Sequence, residues 1–311
     1  MITFSPSTYT LPAISLVASP TKRQAILDLA VEAERRGFAG IACPSLGGTL
    51  GLCVSLAHAT STIKFWTSIQ PMYYSHPVEL GNTAAHIHEV SAGRFGLGIG
   101  VSHGPVVQRL GVATGKPLSD IANYVQAMRS NERFSGQLPQ IFLATLRDKM
   151  LALSTEISQG AIWANASLRD ISRQVASITP TTQDQFFMSN MVPTVVSDDL
   201  DAAYAIHRKT LTGYVSLPNY RNYWRVAGYD TEMDNIESII ANTPKELLAE
   251  QLQQAMTDEW LRDCTISGNA DQVREQFNAW AQAGVLPIAV MSSTSGGQAK
   301  AVAELFAAFE S

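Results

Sequence analysis

One junction recurs along this chain and limits what it can fold into. Arg36-Gly37-Phe38-Ala39-Gly40-Ile41-Ala42, Ala92-Gly93-Arg94-Phe95-Gly96-Leu97, Gln159-Gly160-Ala161-Ile162-Trp163-Ala164 and Ala283-Gly284-Val285-Leu286-Pro287-Ile288 all read the same way. Each is a helix end, a glycine just past it, and a short apolar strand. Glycine is favoured there because it enters the left-handed conformation at no steric cost. The strands are apolar throughout rather than alternating, which suits a parallel sheet covered by helices. The junction returns from residue 37 to residue 284, so one repeating strand–helix unit runs through the whole chain.

Strands are expected at 13–18, 39–43, 63–70, 94–100, 140–145, 160–164, 186–192 and 285–291, alternating with helices at 21–36, 49–61, 77–91, 117–130, 147–158, 167–176, 270–283 and 296–309. Eight of each make an α/β chain, a (β/α)8 TIM barrel, which needs about 250 residues. The chain has 311, and the excess falls at 195–265, after the seventh strand. We expect a single domain over 1–311 with that insertion lying over the C-terminal mouth of the barrel. Thr21 with Gln24 reads as a capping box for the first helix, and Thr243-Pro244-Lys245-Glu246 as the start of a helix inside the insertion.

Composition narrows the function classes. With 46% hydrophobic residues the chain can bury one large core. Its formal charge of −5 comes from 22 basic and 27 acidic residues mixed along the chain, without a Lys/Arg block, so nucleic acid is not an expected partner. Cys43, Cys53 and Cys264 are widely spaced, which suggests neither a disulfide framework nor a zinc site, and no metal is expected. There is no basic-then-apolar leader and no apolar run of about 18 residues, so no membrane partner is expected and the default is a cytoplasmic protein.

The run Gly93 to Gly104 admits three readings. Gly100-Val101-Ser102-His103-Gly104 matches the nucleophile elbow of a serine hydrolase using Ser102. That reading needs a late catalytic histidine, and only His207 follows His103, inside a strongly helical stretch. Gly98-x-Gly100-x-x-x-Gly104 has one residue too many for a dinucleotide loop, and the next strong helix is expected only near Pro117. The third reading is a barrel strand that ends in a site loop. His88-Glu89 does not continue as a zinc-protease motif, because Ala92 stands where a histidine is needed. His76, before Pro77, either caps the third helix or points into the mouth. Trp66, Trp260 and Trp280 read as packing residues, whereas Trp163 near a strand end can stack on a planar ligand.

A second segment points to an anion. In Ala144-Thr145-Leu146-Arg147-Asp148-Lys149 a helix N-terminus, a hydroxyl and two cations converge. Free N–H groups and the helix dipole favour negative charge there, and basic side chains are otherwise misplaced at that end. Together with the Gly100–Gly104 loop, this favours a phosphorylated planar cofactor.

Thr67-Ser68-Ile69-Gln70-Pro71-Met72-Tyr73-Tyr74-Ser75-His76-Pro77 and Ser91 to His103 resemble the third and fourth strand regions of the luciferase-like monooxygenase superfamily. Ser102-His103-Gly104-Pro105, Lys116-Pro117 and Leu143 to Leu151 resemble its branch that uses the deazaflavin coenzyme F-420. The resemblance runs from about Ala13 to Phe309. It implies a barrel with the ring system in the C-terminal mouth, a cis peptide at Ser68-Ile69, and a hydride transfer between deazaflavin and a small organic substrate. Flavin mononucleotide (FMN), as in an FMN-dependent monooxygenase, is the alternative cofactor. By resemblance Ser68, Ile69, Gly100, Val101, Ser102, His103 and Gly104 border the cofactor. Ala144, Thr145, Leu146, Arg147 and Lys149 hold its phosphate, and Trp163 and Asn165 line the ring. His103 and His76 are the candidate catalytic proton carriers. Two departures stand out: Pro44-Ser45 replaces the acid and histidine that many deazaflavin-dependent relatives place after the second strand, and Arg147-Asp148 replaces a Gly-Pro. The resemblance also implies a homodimer. A barrel that binds flavin without turnover is the alternative outside enzyme function.

Overall fold

The computed structural model describes residues 10–46, 48–102, 104–179 and 185–310. The described strands are β1 (Ala13–Ser15), β2 (Ile41–Cys43), β3 (Phe65–Thr67), β4 (Gln70–Pro71), β5 (Phe95–Gly100), β6 (Gln140–Ala144), β7 (Gly160–Ala164), β8 (Phe187–Val196), β9 (Ile266–Gly268) and β10 (Leu286–Ser292). They run in the order β10-β1-β2-β3-β5-β6-β7-β8-β9, and a β10–β8 pairing closes the ring. β4 continues the line of β3 and pairs with β5, and β9 pairs with β8, both in parallel. Eight strand positions therefore close a parallel barrel with surrounding helices, the TIM barrel expected from the repeated junction. By contact density the chain divides into two compact units, Met1–Trp163 with Ile178–Ser189, and Ala164–Ser177 with Asn190–Ser311.

The first unit holds β1 to β6 and most of β7. Its interior is set by aromatic side chains on alternate barrel positions. Trp66 on β3 meets Phe187 at the start of β8 edge-on, with centroids 5.2 Å apart, and Phe142 on β6 lies 4.6 Å from Phe187. All three are buried. Glycines stand where the intervening chain passes this layer. A Cβ on Gly40 would lie 2.4 Å from Trp66 Cζ3, one on Gly96 2.5 Å from Phe142 Cε2, and one on Gly160 2.7 Å from Phe142 Cδ1. Barrel interiors are packed in layers drawn from alternate strands. Here the layer is so bulky that the neighbouring positions yield their side chains entirely.

This packing corrects one sequence expectation. Gly37, Gly93 and Gly284 do end helices with φ of +78°, +81° and +92°, as the junction predicts, but Gly160 has no positive φ. The helix before it ends at Ile157 with an extended Ser158, and Gly160 is the first residue of β7. Glycine is required at 160 by the aromatic layer and by Phe187 O, which would lie 2.5 Å from a Cβ.

Two helix starts also differ. The first helix spans Arg23–Arg35 and Thr21 does not cap it. Ser19-Pro20-Thr21-Lys22 forms a turn instead, closed by Lys22 N–H donating to Ser19 O at 3.2 Å, with Thr21 at φ +67°. Proline second and a positive φ third are the geometry of a type II turn. Thr243 does not cap the helix Lys245–Ala255 either, because its hydroxyl donates to Gln251 Oε1 at 2.6 Å.

The end of this unit away from the strand C-termini is fastened by Arg94 and Glu34. Arg94 is buried just before β5 and all five of its N–H donors are used. Nε donates to Ser91 O, Nη1 to Thr60 Oγ1 and Ile63 O, and Nη2 to Ala57 O and Thr60 O, at 2.8–3.1 Å. Most of these acceptors belong to the end of the helix Thr49–Ala59 and the turn after it, where carbonyls lack helical partners and a cation suits the dipole. Glu34 accepts from the N–H groups of Ser61, Thr62 and Ile63 at 2.9, 2.6 and 2.8 Å, which fixes the same turn from the other side.

The second unit contains β9, β10, most of β8 and the 195–265 segment. That segment is almost wholly helical: Leu200–Val215, Pro218–Val226, Asp230–Asn242, Lys245–Ala255 and Asp258–Cys264. β8 runs to Val196, four residues beyond its expected end, and Thr194 to Val196 pair with Ile266 to Gly268 of β9, a strand not expected from the sequence. Tyr220, Trp224 and Trp260 stack in series at 5.4 and 4.7 Å. Asp263 accepts from Tyr229 OH at 2.8 Å, from Arg169 N–H at 2.9 Å and from the Ser167 hydroxyl.

Candidate cofactor and active site

Strand register brings the candidate residues of the first unit to one end. Pro71 lies opposite Gly100, Ile99 opposite Leu143, and Ala144 opposite Ile162. The segments Ser68–Pro71, Gly100–Ser102, Ala144–Lys149 and Ile162–Trp163 are therefore adjacent C-terminal ends of neighbouring strands. This is the end at which barrels of this kind place their chemistry.

The Ser68-Ile69 peptide is cis, where the resemblance places it. The segment presses on β5: a Cβ on Gly98 would lie 2.0 Å from Thr67 O and 2.9 Å from Ile162 Cδ1, and one on Gly100 would lie 2.7 Å from Ala144 Cβ. Thr67 Oγ1 donates to Gly98 O at 2.6 Å, and Ser68 N–H donates to Cys43 O at 2.8 Å. The glycines of β5 thus admit the backbone of the neighbouring segment rather than cradle a phosphate.

Several polar groups here are left over. Ser68 Oγ and Thr145 Oγ1 are buried and have no hydrogen-bond partner among the described residues. Buried hydroxyls without partners are rare and costly, so such atoms point to a ligand or ordered water. Ser102 holds φ +64° without being glycine, a conformation that persists only where the surroundings enforce it. His103 lies outside the described residues. Gly104 begins a short helix, Gly104–Leu110, so a helix follows the glycine loop at once rather than only near Pro117. The helix Asp148–Ile157 starts without any side-chain cap, and Arg147 and Lys149 are exposed without ion pairs among the described residues. Asp148 occupies the first turn of that helix.

Three further candidates have partners or packing of their own. His76 is the N-cap of the helix Pro77–Val90, and its Nδ1 accepts from Val78 N–H at 3.3 Å. In the neutral ring this puts the proton on Nε2. Trp163 is fully buried, so its ring packs in the core. Asn165, in the second unit, is buried with φ +55°, and its carbonyl accepts from Trp224 Nε1 at 3.2 Å. Its side chain bonds to the Tyr214 and Tyr220 hydroxyls, whose pKa values burial pushes up.

A family model described as luciferase-like monooxygenase matches residues 7–286. The chain belongs to this family. A 5,10-methylenetetrahydromethanopterin reductase of Archaeoglobus fulgidus is 23% identical over 273 residues, spanning 79% of this chain and 82% of that protein. The structure of the coenzyme F-420-dependent tetrahydromethanopterin reductase from Methanopyrus kandleri superposes with a TM-score of 0.75 at 16% identity, covering 97% of this chain and 100% of that one. The oxygenating constituent of 3,6-diketocamphane monooxygenase from Pseudomonas putida, in complex with FMN, superposes with a TM-score of 0.56 at 16% identity, covering 90% and 92%. The fold is thus shared with enzymes of both cofactor classes.

Within this luciferase-like frame the apparent nucleophile elbow is followed in the sequence by a single histidine, His207. His207 is buried in the second unit, with Nε2 2.8 Å from Ser267 Oγ and 3.3 Å from Ile266 O. Burial lowers its pKa to about 4 from the ordinary 6.5, so the ring is neutral in the folded chain. A histidine depressed in this way stabilises the fold above pH 6.5 and loses that contribution as pH falls through 4. The expected loss by pH 4 is about 3 kcal/mol. Urea unfolding of wild type and His207→Gln at pH 7 and pH 4 checks this: the variant should lack that share of the acid loss, and equal losses would refute it. No helix among the described residues is long and apolar enough to cross a membrane, and no described cluster of His, Cys, Asp or Glu suits a metal ion.

Proposed function

We propose that this chain is an oxidoreductase that binds deazaflavin coenzyme F-420 at the C-terminal ends of β3 to β7 and uses it on a small organic substrate. The observation that carries the reading is the pair of buried hydroxyls without a partner among the described residues, Ser68 and Thr145, each just past the C-terminal end of a strand flanking β5 in a luciferase-like barrel. They offer hydrogen bonds that no described residue takes up. FMN fits the same donor set and is the alternative cofactor.

When bound, the cofactor supplies the hydride chemistry. The protein's part follows from its own residues. The open N-terminus of the helix Asp148–Ile157 offers N–H groups to a phosphate, and Arg147 and Lys149 add charge-assisted bonds. Asp148 opposes them and limits how much charge the site gathers. Thr145 and Ser68 each have a hydroxyl free to bond the cofactor, and Ser102 begins the loop segment at its edge. His76 accepts the Val78 N–H at Nδ1, which leaves Nε2 as the nitrogen not used in the helix cap. Cys43 and Pro44 close the second strand, where no acid stands. A hydride transfer that asks little proton movement of the protein suits such a site.

Fluorescence titration of the purified protein with coenzyme F-420 and with FMN tests the reading. One of the two should bind at micromolar concentration, and binding of neither sinks it. Thr145→Val, which keeps shape and removes the hydroxyl, should weaken that binding about tenfold. Ser102→Ala should also weaken it, and a fluorophosphonate probe should leave Ser102 unlabelled.

A further inference from the structure

We propose that Asp120 is a positioning residue for this site, tying the segment after β4 to the segment after β5 and so fixing where Ser102 sits. The inference rests on the cofactor reading above and adds to it residues that no motif singles out.

Asp120 lies one turn into the helix Pro117–Ser130. Its Oδ2 accepts two hydrogen bonds, from the Tyr73 hydroxyl at 2.7 Å and from Gly115 N–H at 2.7 Å. Tyr73 belongs to the 3-10 turn Met72–Tyr74, which follows β4 directly and lies just beyond the cis Ser68-Ile69 peptide. Gly115 follows the helix Gly104–Leu110, near the far end of the segment that starts at Ser102. One carboxylate oxygen therefore joins the two backbone segments that border the site. The fit at Gly115 is tight, since a Cβ would lie 2.6 Å from Asp120 Oδ1. A second bond, Tyr124 OH to Ser75 O at 2.8 Å, holds the same turn to the same helix.

The tie bears on a constrained residue of the same segment. Ser102 keeps a left-handed conformation, which its surroundings must enforce. Anchoring Gly115 removes slack from the far end of the segment that Ser102 begins. Burial and the neighbouring Asp120 push the Tyr73 pKa up to about 12, so the phenol stays a donor at every ordinary pH.

Four variants test the tie: Tyr73→Phe, Asp120→Ala, the two combined, and Asp120→Asn. Hydrogen exchange over 102–116 is measured in the unliganded protein, and affinity for coenzyme F-420 and FMN by fluorescence titration. Tyr73→Phe and Asp120→Ala should speed exchange in that segment, with exchange in β6 and β7 unchanged. Each should weaken whichever cofactor wild type binds, about tenfold for Asp120→Ala. The double variant should be no weaker than Asp120→Ala alone, since both changes break one network. Asp120→Asn keeps an oxygen that accepts both bonds and should restore affinity to within about threefold. Unchanged exchange in Asp120→Ala, additive losses, or faster exchange with wild-type affinity would each overturn the proposal. If wild type binds neither cofactor, the functional reading fails by itself, and exchange at Ser102 alone then decides whether Asp120 positions it.

Discussion

Gly98→Ala should destabilise the protein by about 3 kcal/mol or more and abolish cofactor binding. A methyl group at 98 would lie 2.0 Å from Thr67 O, and Thr67 is held by its hydroxyl on Gly98 O and by strand pairing to Cys43. The obstacle is a backbone atom, so no rotamer change relieves it. Either β5 moves off its neighbours or the Thr67–Ile69 backbone moves out of the site. Gly213→Ala is the matched control, because nothing lies within 4 Å of its Cβ on the helix Leu200–Val215. There alanine should be neutral or stabilise by up to about 1 kcal/mol. Urea midpoints of both variants, with cofactor titration, give the answer. A Gly98→Ala protein of wild-type stability would refute the close approach of Thr67 O to residue 98.

Arg94→Met should cost about 3–5 kcal/mol. The guanidinium meets acceptors from Ala57, Thr60, Ile63 and Ser91, and none of these gains a replacement when it leaves. An apolar side chain of similar length fills the space and abandons the acceptors of Ala57, Thr60 and Ile63, leaving only Ser91 O a bond, from the backbone N–H of residue 94, which is the expensive case for buried polar groups. Arg94→Lys keeps the charge and at most three donors, so it should fall between wild type and Arg94→Met. Because the cluster stands away from the strand C-termini, cofactor affinity of whatever protein remains folded should be unchanged. A urea unfolding series orders the three proteins. Equal stability of the lysine and arginine forms would show that charge alone matters at this position.

The barrel was legible because its signals are local. Three junction glycines reach the left-handed region, and strand β7 and the helix Pro117–Ser130 fall on their expected residues. What failed was also physical. Gly160 fitted the junction pattern but serves an aromatic layer whose members come from β3, β6 and β8, a relation that no local window contains. Thr21 fitted a capping box but entered a turn imposed by Pro20. At the site, Thr145 was readable as the hydroxyl of an anion-binding helix start and Ser102 as part of a glycine loop, whereas the cis peptide came from family resemblance; the structure adds a left-handed backbone at Ser102 and a partnerless hydroxyl at Thr145. Tyr73 and Asp120 stand 47 residues apart and no motif pairs them, so only the folded chain brings them together.

The aromatic layer has a consequence for how such a chain diverges. Gly40, Gly96 and Gly160 are each bare because Trp66, Phe142 or Phe187 occupies the volume that their side chains would need. Neither set can drift alone. A larger residue on β5 or β7 demands a smaller ring on β3, β6 or β8, and a smaller ring leaves a void until a glycine fills it. Descendants of this sequence should therefore exchange glycine and aromatic residues in pairs, and the floor beneath the site should change in discrete repackings rather than by single accepted substitutions.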